Sequence, residues 1–491
     1  MAGWTSKRIG FFAGLALALV VQLIPVPDGL SREAWLLASI ALLMAAWWAT
    51  EAIPIAATAL IPLALFPFLG IASASQAASP FASPIVMLLL GGFIVALAIE
   101  RWNLHARIAL NVVAAFGSRP SAMILGFMVA AALLSMWISN TATTLMMIPI
   151  ALKVAEAVQK EGVNAKMFAP ALALGIAYSA SIGGMATPVG TPTNLIGIGF
   201  LENSFGRTIG FIDWMAVGVP AAALVIPAAW LLLTKSAFKV ESRIASEAGH
   251  EAVVAELKAL GPMSRPEVRV ALVFSAVAVL WMGQQYVWNP LLAALSEALA
   301  LPITLGVSNM QIAMAGALAM FLVPSGTAKR GEALMDWEGT ARLPWGVVIL
   351  FGGGLSLAAA IETSGLAEWL GAHLAIVAGL PLPLVVLILA VIVVFLTELT
   401  SNVATVSAFL PVLAALATEA GVPAELLIVP VALAASCAFM LPVATAPNAI
   451  VYASGEVSMN QMIKAGFRIN LVAAPLIAVV ASVVGPWVYG G

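Results

Sequence analysis

The stretch "WISNTATTLMMIP" (residues 137–149) sets Ser139, Asn140, Thr141, Thr143 and Thr144 inside an apolar run that carries no charge from residue 120 to residue 152. "ELTSNVATVSAFLP" (398–411) repeats the pattern, and in both copies Ser-Asn precedes a proline: Asn140 stands nine residues before Pro149, and Asn402 nine before Pro411. In lipid every backbone polar group must find an internal partner. A cluster of Ser, Asn and Thr in the middle of such a run therefore marks a place where a helix stops and another starts.

The rest of the chain supplies the membrane. Of 491 residues, 62% are hydrophobic and 9% charged, against about 25% charged in a soluble domain. Apolar segments close to the roughly 20-residue spanning length recur from end to end. The N-terminal "KRIGFFAGLALALVVQLIPVP" (7–27) reads as a first membrane helix, since the run is long and no A-x-A-like cleavage site follows. The single cysteine, Cys437, excludes an intrachain disulfide, and the three histidines lie far apart with no metal-ligand spacing. The expected class is an all-α polytopic membrane protein.

Apolar segments fall near 8–25, 34–50, 53–70, 84–100, 211–234, 268–289, 310–324, 344–362 and 466–488, with two centrally polar units at 121–158 and 382–418 and Pro-interrupted segments at 167–200 and 425–454. Each polar unit has the length of one over-long helix or of two short arms. If both are re-entrant hairpins, the chain has eleven transmembrane helices plus two hairpins, and with the N-terminus inside only Arg32 and Arg207 of its 21 Lys and Arg fall outside. Single crossings would instead expose the charged linker 235–267 to the outside, so the positive-inside rule selects hairpins.

The two halves match. An ungapped offset of 262 residues pairs Gly91 with Gly353, Glu100 with Glu362, Ser139-Asn140 with Ser401-Asn402, Thr143 with Thr405 and Pro149 with Pro411. An odd number of spans separates the copies, so the second is inverted, the pattern of secondary transporters. The expected organisation is a membrane helix in 1–30; a first inverted repeat in 31–234, with hairpin 121–158 and broken helix 167–200; a cytoplasmic linker in 235–267; and a second repeat in 268–491, with hairpin 382–418 and broken helix 425–454.

Hairpin tips of this composition offer hydroxyl and carbonyl oxygens to a hard cation. The outgoing helices point their positive dipole ends at the same place, so an anion is held without a basic side chain. "MATPVGTPTNLIG" (185–197) and "LPVATAPNAIVYASG" (441–455) add Thr, Pro and Asn at matching places, and proline breaks a helix there. Glu398 is open to two readings: a proton or cation site, or a cap for the hairpin scaffold. The glycine runs at 91–92 and 352–354 read as close-packing positions.

These motifs, S-N-T at 139–141, S-N-V at 401–403, G-T-P-T-N at 190–194 and T-A-P-N at 445–448, resemble those of the divalent anion/sodium symporter family of di- and tricarboxylate carriers, over nearly the whole chain. The resemblance implies a homodimer in the cytoplasmic membrane, with a scaffold domain and a transport domain that moves as an elevator. It implies two or more Na⁺ as coupling ions, with no organic cofactor and no nucleic-acid partner. By motif, a first Na⁺ site would use Ser135, Ser139, Asn140 and Gly190, and a second Thr397, Thr400, Asn402 and Ala444. Substrate carboxylates would meet Ser139, Asn140, Thr141, Ser401, Asn402 and Thr445, with Val403 as an apolar wall where some members carry Thr. The implied activity is sodium-coupled transport of C4 dicarboxylates. The alternatives are a sulfate or other inorganic dianion carrier, or an arsenite or Na⁺–H⁺ carrier. A membrane-embedded enzyme is disfavoured, since no His or Asp stands near Ser139 or Ser401 to activate a nucleophile.

Overall fold

The computed structural model describes residues 6–161, 165–240, 246–329, 331–373 and 379–490. Parts of the expected first helix (1–5) and of the linker (241–245, with Arg243) lie outside the described residues. Among the described residues the chain is helical, and one isolated bridge, Pro324 to Ala333, is the only strand-like pairing. Among the described residues nine helices are long and apolar enough to cross a membrane, and six shorter apolar helices accompany them.

Local chemistry sets the helix ends. Ser31 caps Arg32–Thr50 by accepting the Ala34 N–H. A Ser458/Gln461 capping box starts the last helix at Met459, and it runs to Tyr489. Its first turns, "MNQMIKA", are too polar for hydropathy to reveal, so the segment expected at 466–488 is longer than its apolar part. The segment expected at 53–70 is two short helices, Ile55–Thr58 and Ile61–Phe68. Pro54, Pro62 and Pro67 each remove a backbone donor there. π-Helical turns at Leu232–Ala237 and Gln284–Trp288 extend the helices that precede them.

Four interruptions organise the interior. Pro120–Ser135 gives way to Asn140–Lys160, and Leu382–Leu396 to Asn402–Ala420. Ala165–Gly184 stops before Pro192–Phe205, and Glu425–Ala434 before Ala446–Ala453. Pro120–Ser135 packs along Ala165–Gly184, and Leu382–Leu396 along Glu425–Ala434 and Met459–Tyr489. Helices in lipid gain little from the hydrophobic effect and associate where small residues let backbones meet. The matched pair Gly91 and Gly353 shows this. A Cβ on Gly91 would sit 2.8 Å from the Ala313 backbone, and one on Gly353 would collide with the Ala59 carbonyl.

The linker carries its own helix, Glu247–Ala259, capped by Ser246. Lys153 bonds Glu256 at 2.6 Å, and Arg107 bonds Glu267 and the Gly261 carbonyl, each at 2.9 Å. The linker therefore lies against one end of the helix array, the end that also carries residues 101–107.

Candidate functional site

Both Ser-Asn tips and both proline breaks face one cavity of about 980 Å³. Ser139, Asn140 and Thr141 line it from one tip, Ser401, Asn402 and Val403 from the other, and Gly190, Ala444 and Thr445 from the breaks. Ser135, Thr397 and Thr400 do not reach its surface. Ser135 and Thr397 are fully buried.

At the first tip Ser139 is the helix N-cap, accepting from Ala142 N at 3.5 Å. Behind it Ser135 Oγ and Asn140 Oδ1 are buried without a hydrogen-bond partner. Backbone oxygens crowd the same spot. A Cβ on Gly184 would lie 2.9 Å from Asn140 Oδ1 and 3.1 Å from the Gly190 carbonyl, and one on Gly190 would lie 2.9 Å from the Ser135 carbonyl. A neutral cradle built only of oxygens suits a hard monovalent cation, and orphaned buried acceptors call for a ligand. The residues present fit Na⁺.

The second tip is built differently. Thr397 Oγ1 donates to Asn402 Oδ1 at 2.6 Å and to the Ala435 carbonyl at 3.2 Å. Thr400 Oγ1 donates to the Leu396 carbonyl at 3.1 Å and also pairs with Thr405 Oγ1. The donor set is again all oxygen and fits a cation, but Thr397 and Asn402 are already bonded to each other and Thr400 to Leu396 and Thr405.

The two breaks share one device that the motifs did not reveal. Asn194 Nδ2 donates to the Gly184 and Thr187 carbonyls at 2.9 and 2.7 Å, while Asn448 Nδ2 donates to the Ala438 and Leu441 carbonyls at 2.9 and 3.0 Å. Each asparagine ties the carbonyls freed by its own unwound segment. Thr191 and Thr445, three residues ahead of them, share an extended backbone (φ −144° for both), and both line the cavity. Thr191 is thus a wall residue that sequence reasoning missed. The signal was present, because T-P-T-N and T-A-P-N align with both threonines in register.

Glu398 is buried beside the second break. Oε1 accepts from Phe439 N (2.6 Å), Met440 N (2.9 Å) and Asn470 Nδ2 (2.7 Å), and Oε2 from Met440 N (2.9 Å) and Leu441 N (3.1 Å). Of the two readings, these contacts favour the cap: the carboxylate satisfies the N–H groups that unwinding frees. Val403 borders the cavity and also packs on the hydrophobic core. The opposite wall, from Leu89, Phe93, Phe274, Trp281 and Val347, is apolar.

Comparisons with known proteins agree with this architecture. The family model described as "Sodium:sulfate symporter transmembrane region" matches residues 5–490. The sodium-dependent dicarboxylate transporter SdcS of Staphylococcus saprophyticus is 38% identical over 99% of this chain and 92% of its own length. SdcS of Staphylococcus aureus strain NCTC 8325 is 40% identical over the same shares. Two solved structures resemble the fold at low identity: MtrF of Neisseria gonorrhoeae (TM-score 0.57, 12% identity, 97% and 95% of the two chains) and the YdaH transporter of Alcanivorax borkumensis (TM-score 0.55, 11% identity, 98% of each).

Proposed function

This chain belongs to the sodium:sulfate symporter family, and on that premise we propose that it is a sodium-coupled carrier of C4 dicarboxylates such as succinate, malate and fumarate. The observation that carries the reading is the pair of Ser-Asn tips facing one cavity, with helix N-termini and an oxygen cradle and no basic side chain among them. Two separated tips suit an elongated dianion with a carboxylate at each end. A compact sulfate would engage one tip. The names of the similar proteins support the dicarboxylate over the inorganic ion.

A dianion held without Arg or Lys needs neutralising charge. Na⁺ at the first cradle would be held by Ser135, Ser139, Asn140 and Gly190, and at the second by Thr397, Thr400, Asn402 and Ala444. It would supply positive charge beside the substrate carboxylates, so that ion and anion each raise the other's affinity. Ser139, Asn140, Thr141, Ser401, Asn402 and Thr445 orient the carboxylates. The deciding experiment is uptake of radiolabelled succinate into proteoliposomes with and without a Na⁺ gradient. Na⁺-independent uptake, or sulfate uptake without succinate uptake, rejects the reading.

The membrane arrangement belongs to the same proposal. The arms Pro120–Ser135 and Leu382–Leu396 have 16 and 15 residues. At 1.5 Å per residue each of these incoming arms reaches only about 24 Å, short of the roughly 30 Å hydrocarbon core; the outgoing arms Asn140–Lys160 and Asn402–Ala420 are long enough to cross, so the hairpin reading rests on the short incoming arms and on the positive-inside rule. The proposed arrangement is eleven spans plus two hairpins, in inverted repeats with the N-terminus in the cytoplasm. The candidate ligands sit on the tips and breaks and face an apolar wall, which supports an elevator in which one body carries the site past the other. Homodimeric assembly rests on the family resemblance.

Cysteine labelling in a Cys437→Ala background tests the topology. Of the flanking positions, Gly117 and Gly421 have φ of +77° and +62°, which a cysteine adopts with strain, and Gly162 lies outside the described residues. The exposed Arg119 and Glu161 serve for the first hairpin, and Gly379 and Glu419 for the second. Arg119→Cys and Glu161→Cys are expected to label from the cytoplasmic face, and Gly379→Cys and Glu419→Cys from the outer face. Opposite labelling within either pair rejects the hairpins.

Val403 tests substrate contact. Val403→Thr keeps volume but adds a hydroxyl. A donor to a charged group contributes about 1.5–3 kcal/mol, so competition of succinate uptake by malate and citrate should shift about tenfold in ratio. Identical inhibition ratios in both proteins remove Val403 from the site.

A further inference from the structure

The cavity does not end at the tips. Along the helix Pro84–Arg101 its lining runs from Leu89 to Glu100 and on to the exposed Asn103, at the end of the molecule that carries the linker. One acid and one guanidinium line it, Glu100 and Arg342, with no lysine. They stand on different elements. Glu100 is the penultimate residue of its helix, and Arg342 ends the 3₁₀ turn Glu338–Arg342 that leads into Trp345–Thr363. Arg342 Nη2 lies 3.8 Å from Glu100 Oε2, in a pair whose acid side chain is 13% exposed and whose guanidinium is 67% exposed.

The neighbouring cation is committed elsewhere. Arg101 pairs with Asp336 at 2.5 Å and with Glu332 at 3.7 Å. The Gly339 N–H and that guanidinium hold the Asp336 carboxyl below its usual range. His105, also on the wall, is buried with Nδ1 on the Ile99 carbonyl. Arg342 is left as the exposed, loosely held positive charge at the mouth. Its repeat-related position is Pro80, so the other half supplies no matching cation.

We infer that Arg342 is the electrostatic steering residue of this vestibule: it draws the dianionic substrate from the linker face toward the tips, and the pair it makes with Glu100 tunes that attraction. The inference rests on the proposed dianionic substrate class, and it adds a rate-setting position outside the Ser-Asn site. A charge in a cleft with low-dielectric walls focuses the field and raises on-rates in a salt-dependent way, whereas affinity at the tips depends on the site itself. Glu100 opposes the attraction, so removing either partner should move the on-rate in opposite directions.

The test uses the purified full-length protein in saturating Na⁺, with stopped-flow tryptophan fluorescence as the readout, since Trp137 and Trp281 line the cavity. Succinate is the probe. In the wild type the on-rate should fall as ionic strength rises. Arg342→Gln should lower it by about tenfold at low salt and flatten the salt dependence, the lower end of what focused fields of this kind supply. Glu100→Gln should raise it, and Arg342→Lys should restore the salt slope. Off-rates should change less than twofold. A wild-type on-rate and salt slope in Arg342→Gln, in protein whose Na⁺-dependent thermal stability is intact, overturns the inference. Equal loss in Arg342→Lys and Arg342→Gln also overturns it. If the wild type answers sulfate and not succinate, the substrate reading fails, and the same variants measured with sulfate still decide the steering role. A wild type that answers neither dianion overturns both.

Discussion

Asn140→Ala is expected to abolish Na⁺-driven succinate uptake while leaving the protein as stable as wild type in Na⁺-free choline buffer. Asn140 Oδ1 has no partner to lose in the described structure, so the substitution removes the proposed ion ligand and little else. The thermal stabilisation that Na⁺ confers should shrink, since a ligand stabilises only the state that binds it. Asn402→Ala is expected to stop transport equally but to show a second effect. Its carbonyl accepts from Thr397 at 2.6 Å, so about 1 kcal/mol of stability should be lost even in choline buffer. Measuring uptake and melting temperature for both variants, with and without Na⁺, separates the two tips. Wild-type uptake that is the same in choline as in Na⁺ would sink the coupling argument outright.

Glu398→Ala should be the most destabilising single change in the second half. It strands the N–H groups of Phe439, Met440 and Leu441 and the amide of Asn470, all of which point at the carboxylate. Each buried donor left without an acceptor costs about 1–3 kcal/mol. The expected result is poor accumulation in the membrane or a melting temperature lowered by several degrees. Glu398→Gln keeps the shape and one good acceptor, and should lose less. The rival role has a different signature. If Glu398→Gln folds like wild type and removes a pH dependence of transport, the carboxylate is a proton site and the capping account is wrong.

The parts of this architecture that sequence revealed are those whose cause is local. A Ser-Asn pair in an uncharged run and a proline ahead of an asparagine each announce a break from within a dozen residues. The offset of 262 residues then relates the tips. Partners drawn from distant elements gave no such signal. Glu398 finds its donors 41, 42, 43 and 72 residues away, so its two readings could not be separated from composition. Arg342 carries no motif, and only the turn it ends places it opposite Glu100. Equal motifs also concealed unequal bonding: S-N-T and S-N-V suggest twin cradles, yet only one has orphaned acceptors. The π-turn at Leu232–Ala237 left no trace, because it differs from the α-helix before it only in hydrogen-bond register.

The asparagine clamps have a consequence for how the chain is made. Asn194 and Asn448 close bonds to carbonyls only seven and ten residues back. Each unwound carbonyl row can thus be sealed as soon as its own segment leaves the ribosome, before any later helix exists. The amide donors of the second break follow another schedule. They can bond Glu398 as soon as they are made, since it precedes them, but the carboxylate's bond to Asn470 forms only once the helix Met459–Tyr489 has inserted. Chains released before residue 470 would carry both asparagine clamps and an incompletely tethered acid at Glu398. Quality control in the membrane should therefore discriminate most sharply at the helix Met459–Tyr489.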